Sequence, residues 1–270
     1  MKLSLTSWSF PACSLRECAG ISKTLGINAL DVGLHYRAAL NRSDILSDPH
    51  AVGARIKALD VAVPNYYHQF GEGLAGQNLS LPGTLAQNLK DMAQVLTFAD
   101  AAGIASVFIL PGIINPGQSR SDAASVAMQS LRELQQVARD YRAKLCVEPH
   151  VQSWAESPTL ALQLVEQTGV GLALDYSHFI CLGYPQDEID VLAPHAVHVH
   201  LRQARMGHLQ TKFAHGTLNF PAMFGTLRDA GYTGWLALEA VHQDYMNTLS
   251  EDVLTETIAM RDAFWAWQQG

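Results

Sequence analysis

The 270-residue chain is 48% hydrophobic and 16% charged, enough apolar material for one large core, which excludes a fibrous or disordered polypeptide. Its 18 Lys and Arg against 25 Asp and Glu give a formal charge of −7 with no basic block, so neither nucleic acid nor an anionic membrane surface is an expected partner. The longest apolar stretches, such as Ala105–Leu110, fall far short of the ~18–20 residues that span a bilayer.

The opening MKLSLTSWSF alternates Ser and Thr with apolar residues and reads as a strand over Leu3–Ser9; a signal peptide needs a continuous apolar run. A helix is predicted over Ser14–Leu25, opened by a Ser cap, then a strand over Ala29–Gly33 and a helix over Asp48–Leu59. The alternation continues with a strand at Ala58–Pro64, a helix at Leu85–Ala102, a strand at Ala105–Leu110 and a helix at Asp122–Arg142. Strands at Lys144–Pro149, Val170–Tyr176, Ala196–Leu201 and Trp235–Ala240 are separated by helices at Ser157–Thr168, Gln186–Leu192 and Phe220–Ala230, and a helix at Glu251–Gln268 ends the pattern. Glycines at Gly26, Gly103, Gly169 and Gly231 mark helix ends.

Eight βα units in about 250 residues, with no linker or internal repeat, fit a single (β/α)8 TIM barrel domain over residues 1–270. A doubly wound open sheet is the structural alternative, but no GxGxxG follows the first strand and no GxxxxGK[ST] is present. Four cysteines, Cys13, Cys18, Cys146 and Cys181, share no CxxC spacing and fit a reducing cytoplasm.

The last four strands carry the chemistry. At one parity Leu145, Val147, Leu172, Leu174, Val197, Val199, Leu201, Leu236 and Leu238 are expected to face the helices. The opposite parity then points Glu148, Asp175, His200 and Glu239 into the barrel mouth, with Ala173 and Ala237 one layer below. Any one of these residues alone reads as a salt-bridged carboxylate or a hydrogen-bonded core histidine. Three carboxylates and an imidazole gathered together would repel and be poorly solvated, and a divalent cation resolves this. The oxygen-rich set suits Mn²⁺, Mg²⁺ or Co²⁺, and Zn²⁺ also fits.

The segments LCVEPH (145–150), LALDYSH (172–178), VHVHLRQ (197–203) and GYTGWLALE (231–239) resemble the xylose-isomerase-like barrels, in particular their sugar phosphate isomerase/epimerase branch. The segment LRECAGISKTLGINALDVGL (15–34) is similar to the family's opening, with Asp31 where a Glu is commoner, and Gly216–Pro221 resembles the loop before its last strand. The resemblance covers nearly the whole chain. It implies that Glu148, Asp175, His200 and Glu239 hold one divalent ion, that Glu148 and Glu239 exchange protons as base and acid through an enediolate, and that His178 contacts substrate. The chain departs from the family at Arg202 and Gln203, where a Lys-Asp pair is common; Arg202 keeps the charge and is a candidate substrate contact, and Gln203 loses it.

The expected activity is metal-dependent isomerisation or epimerisation of a small sugar or polyol. The alternatives are dehydration of a keto-polyol of the inosose type, DNA repair of the endonuclease IV type, and a non-catalytic sugar-binding barrel. Many family members form dimers or tetramers, so a homo-oligomer is also an expectation. His198 shares the parity of His200 and reads either as a residue orienting a ligand from beneath or as a hydrogen-bonded interior histidine. Trp8, His35, Tyr66, Tyr67 and His68 are candidate pocket walls, with Trp8 and His68 taken as substrate contacts, and His150 continues the parity of Glu148 toward the mouth. The aromatic pattern Phe264–Trp267 reads as helix packing.

Overall fold

A computed structural model describes residues 1–34, 39–243, 248–249 and 252–270. In chain order the elements are β1 (Lys2–Thr6), α1 (Leu15–Thr24), β2 (Leu30–Gly33), α2 (Arg42–Ser47), α3 (Pro49–Lys57), β3 (Asn65–Tyr67), α4 (Leu85–Ala102), β4 (Ser106–Ile109) and α5 (Arg120–Ala138). They continue with β5 (Lys144–Val147), α6 (Pro158–Thr168), β6 (Gly171–Asp175), α7 (Tyr176–Cys181), α8 (Gln186–Asp190), β7 (Ala196–Leu201), α9 (Phe220–Asp229), β8 (Trp235–Leu238) and α10 (Val253–Gln269). The eight strands pair in chain order, all parallel, and β1 closes on β8, so the expected TIM barrel is present.

Local signals set the boundaries. The Ser14 side chain caps α1 in a reciprocal box with Glu17, and Ser119 does the same for α5 with Asp122. Asp48 and Ser157 cap α3 and α6, each followed by a proline in the first turn. Gly103 and Gly169 end α4 and α6 in the left-handed conformation, at φ 79° and 70°. Among the described residues no helix is long and apolar enough to cross a membrane.

Two expected elements are corrected. The third strand is Asn65–Tyr67 instead of Ala58–Pro64: Ala58 still caps α3, Asp60 sits at φ 56°, and Pro64 has no N–H for a ladder, leaving only an isolated bridge from Ala62 to Ala29. Trp8 lies in a 3-10 turn (Ser7–Ser9) just beyond β1, not in the strand. Helices α2 and α7 were not foreseen, and Glu251, the expected start of the last helix, lies outside the described residues.

Alternation along the strands makes two packing shells. Leu145, Val147, Leu172, Leu174, Val199, Leu201, Leu236 and Leu238 all pack in the outer core between sheet and helices, as expected. Val197 does not: it packs against the inner cluster of Trp8, Tyr67, Phe108, Cys146 and Ala173. The cause is a register shift, in which Leu172 pairs with Ala196 but Ala173 pairs with His198. Phe264 and Trp267 pack against Phe224 of α9, with ring centroids 5.2 and 5.5 Å apart, which bears out the helix-packing reading.

The packing of α3 on α4 depends on Gly53. A Cβ there would lie 2.6 Å from the Ala101 Cβ and 3.0 Å from the Ala102 backbone nitrogen. Gly53→Val is therefore expected to cost ~1–3 kcal/mol by overpacking. A urea unfolding midpoint equal to that of the parent chain would show that α3 shifts without penalty.

Candidate metal centre at the barrel mouth

Glu148 and Glu239 follow directly on β5 and β8, their backbone N–H groups continuing the ladder to the carbonyls of Ile109 and Leu201 at 3.0 Å each. Asp175 ends β6 and pairs in register with His200 of β7. Parity turns all four side chains to the interior, and each offers a ligand atom within 4.8 Å of the others. They are 8%, 1%, 4% and 1% exposed (Glu148, Asp175, Glu239, His200), so water cannot compensate their charges.

The protein partly compensates them itself. His200 Nδ1 lies 2.5 Å from Glu148 Oε1 and 3.5 Å from Glu239 Oε2. Burial opposes the imidazolium, but Glu148 and Glu239 together outweigh it and raise the His200 pKa to about 9. Burial pushes the Glu148 carboxyl up against the pull of His200, so this pair shares a proton. Arg202 Nη2 donates to Asp175 Oδ2 at 2.9 Å and lies 2.8 Å from Glu239 Oε2. Burial raises the Asp175 carboxyl less than Arg202 and His178 lower it, and it stays below the usual range. Three carboxylates against one guanidinium and one imidazolium leave one negative charge in excess. Replacing the imidazolium proton by a divalent cation removes that excess.

The donor set therefore fits a hard divalent ion: three carboxylates and one imidazole, with no thiolate. The four cysteines are free, and burial pushes the Cys146 thiol far above its ordinary range and the Cys18 thiol up to about 12. Beneath the quartet, Asp31 of β2 lies 2.6 Å from His198 Nε2, and these two with His200 form a second buried group whose ligand atoms are within 4.8 Å. His198 is thus both hydrogen-bonded in the interior and placed under His200. Asp31 Oδ1 and His200 Nε2 are buried without a partner.

Above the quartet opens a cavity of about 320 Å³, walled by Trp8, Tyr67, Phe108, His178, Arg202 and Gln243 among others. Trp8 Nε1 donates to Glu239 Oε1 at 2.9 Å, which fixes the indole beside the carboxylate. His178 rides on α7, which starts at Asp175. Its Nδ1 accepts the Val151 N–H at 3.2 Å, so its Nε2 carries the proton, 3.7 Å from Asp175 Oδ2; burial holds its pKa down to about 3.

The other candidates divide. Tyr67 lines the main cavity, but Tyr66 packs onto Phe98, with ring centroids 5.0 Å apart, and does not line that cavity. His68 opens not on the main cavity but on a smaller one beside it, which His150 lines as well. Burial, with Arg42 nearby, lowers the His68 pKa to about 3, and burial lowers that of His150 to about 4. His35 lies outside the described residues. Gln203, where the family's Asp is absent, braces a loop: its amide donates to the Leu218 carbonyl at 3.0 Å and its oxygen accepts from the Leu218 N–H at 3.1 Å. Gly216 leaves room for that side chain, since a Cβ there would lie 2.1 Å from it. Gln69, Leu74, Leu209 and Gln243, also in the cavity wall, lie on loops where no pattern singled them out.

Residues 21–262 match the xylose isomerase-like TIM barrel family. The chain is 24% identical over 169 residues to an inosose isomerase from Halalkalibacterium halodurans, covering 58% of this chain and 60% of that protein. It is 25% identical over 169 residues to a 2-oxo-tetronate isomerase from Haemophilus influenzae, covering 59% of this chain and 64% of that one. The chain thus spans less than two thirds of the length of these two relatives. A crystal structure of the IolI protein with a bound zinc atom is similar in fold, with a TM-score of 0.74, 14% identity and coverage of 97% of both chains. The chain belongs to the xylose isomerase-like TIM barrel family.

Proposed function

We propose that this protein is a divalent-metal-dependent isomerase or epimerase acting on a sugar or related α-hydroxy-carbonyl compound. The observation that carries the reading is the convergence of Glu148, Asp175, His200 and Glu239 within 4.8 Å, beneath a cavity large enough for a small polyol. The names of the two isomerase relatives and the zinc of the IolI structure support it. Mn²⁺, Mg²⁺ and Co²⁺ suit three carboxylates and one imidazole, and Zn²⁺ also fits.

When bound, such an ion supplies positive charge beside the substrate's carbonyl and hydroxyl oxygens, which stabilises the enediolate formed when a carbon-bound proton leaves. Glu148 and Glu239 reach the same His200 nitrogen from β5 and β8, so a substrate seated over the quartet lies between two carboxylates. One takes the carbon-bound proton. The other, protonated from solvent, gives up its own proton to the opposite face of the same carbon for epimerisation or to the neighbouring carbon for aldose–ketose isomerisation, and each carboxyl then re-equilibrates with water. Trp8 offers an apolar wall for a sugar face, and the His178 Nε2–H is a donor for a substrate oxygen.

The test is a panel of ketoses, keto-acids and keto-inositols incubated in D₂O with metal-reconstituted protein. Deuterium entering the position next to the carbonyl is expected for at least one substrate, and only with metal; no incorporation across the panel rejects the reading. An unsaturated product would assign dehydration instead.

Arg202 gives a second test, because its guanidinium and the proposed cation share oxygens of Asp175 and Glu239. Arg202→Met is expected to destabilise the metal-free protein by ~3–5 kcal/mol, the cost of breaking a buried ion pair. Added Mn²⁺ should then raise the melting temperature of the variant more than that of the parent. Equal shifts would show that the two cations do not share these carboxylates.

A further inference from the structure

The cavity over the quartet has a broad apolar wall. Tyr67 and Phe108 stack with ring centroids 4.7 Å apart, and the Trp8 and Phe108 centroids lie 6.2 Å apart, so three aromatic rings line it side by side. Leu74, Leu110 and Leu209 add aliphatic surface. Walls of this kind suit the carbon-bound hydrogens of a ligand.

The polar groups that line the same cavity carry almost no charge to spare. Among the described residues, Arg202 is the one guanidinium in its wall, and no Lys lines it. That guanidinium is already matched twice: Nη2 lies 2.9 Å from Asp175 Oδ2 and 2.8 Å from Glu239 Oε2. An anion brought against Arg202 therefore meets two carboxylates as well. His178 is uncharged on geometry alone, because its Nδ1 accepts the Val151 N–H and a ring that accepts is not an imidazolium. His150 holds Nδ1 against the Val151 carbonyl at 2.7 Å, and its Nε2 is buried. Gln69 and Gln243 are neutral amides.

With a divalent ion in place of the His200 proton, the three carboxylates, the guanidinium and the ion balance. The loaded site then exerts no net pull on an anion, and an ionised group lying away from the ion would leave water to face apolar walls. We propose that the substrate is an uncharged ketose or related polyol: its carbonyl end lies over the quartet, its carbon-bound hydrogens lie on the Trp8, Tyr67 and Phe108 wall, and its far end carries neither phosphate nor carboxylate. This rests on the isomerase or epimerase reading above and narrows its substrate class.

The experiment measures binding of the D-2-ketopentoses and D-2-ketohexoses and of their terminal phosphates to the Mn²⁺-loaded chain by calorimetry, with deuterium exchange followed in parallel. At least one free ketose is expected to bind about tenfold to a hundredfold more tightly than its own phosphate, the effect of burying a charged group without partners. Leu110 is half-buried in the cavity wall directly after β4, so Leu110→Arg adds a cation that no carboxylate of the quartet is recorded to pair. It should shift the ratio of the two affinities toward the phosphate by about tenfold, and an unchanged ratio overturns the charge argument. A phosphate that binds the unmodified chain as tightly as its free parent also overturns the proposal, whether or not the variant folds. Exchange with such a phosphate rejects the uncharged substrate and keeps the isomerase reading; preference for the free ketose without exchange does the reverse; absence of both binding and exchange rejects both.

Discussion

Glu148→Gln and Glu239→Gln are each expected to lower substrate proton exchange by about 10³-fold or more, since general acid–base groups contribute ~10²–10⁴ and these carboxylates are also candidate ligands. The two substitutions should differ in how they fail. Glu148 holds the proton on His200 at 2.5 Å, so its removal takes away the main support of the imidazolium. Glu239 accepts from Trp8 at 2.9 Å and faces Arg202 at 2.8 Å, so a Gln there sets an amide donor against a guanidinium donor or turns it on the indole. Metal content measured on each variant separates loss of the ion from loss of the proton carrier. Retained exchange in either, with metal bound and the fold intact by circular dichroism, rejects the two-carboxylate assignment.

The second large effect is on pH. Without metal, the His200 pKa is raised to about 9 from a reference near 6.5, so the imidazolium stabilises the folded chain fully below about pH 6.5 and this support is lost as pH rises through about 9. A cation that takes the Nδ1 lone pair must displace that proton. Its apparent affinity should therefore rise about tenfold per pH unit below 9, or ~100-fold between pH 7 and 9. Competition against a chelating dye at several pH values measures the slope, and calorimetry in buffers of different ionisation enthalpy should find close to one proton released at pH 7.5. A flat profile would mean that His200 is not a ligand.

The barrel was legible because period-two alternation and capping chemistry act locally: Ser14 sits one residue before its helix, and Glu148, Asp175, His200 and Glu239 share a parity that the strands preserve. What was not legible depends on partners distant in sequence. The shift between Leu172 and Ala173 reverses Val197 because β7 pairs there with β6, and nothing within Ala196–Leu201 announces it. Asp60 at φ 56° and Pro64 delayed the third strand, although Val61 and Val63 carry the right alternation. The Arg202 bridge and the Asp31–His198 contact join strands that are up to 167 positions apart in the chain. The opening of His68 onto a side cavity, not the main one, depends on loops whose paths a single sequence does not fix.

The two packing shells separate what holds this protein together from what it does. Leu174 and Val199 press outward while their neighbours Asp175 and His200 turn inward, so each strand end can exchange its inner residue without disturbing the outer layer. Such a scaffold is open to evolutionary retargeting: new chemistries can be tried at the rim one side chain at a time, with the ancestral architecture kept as insurance.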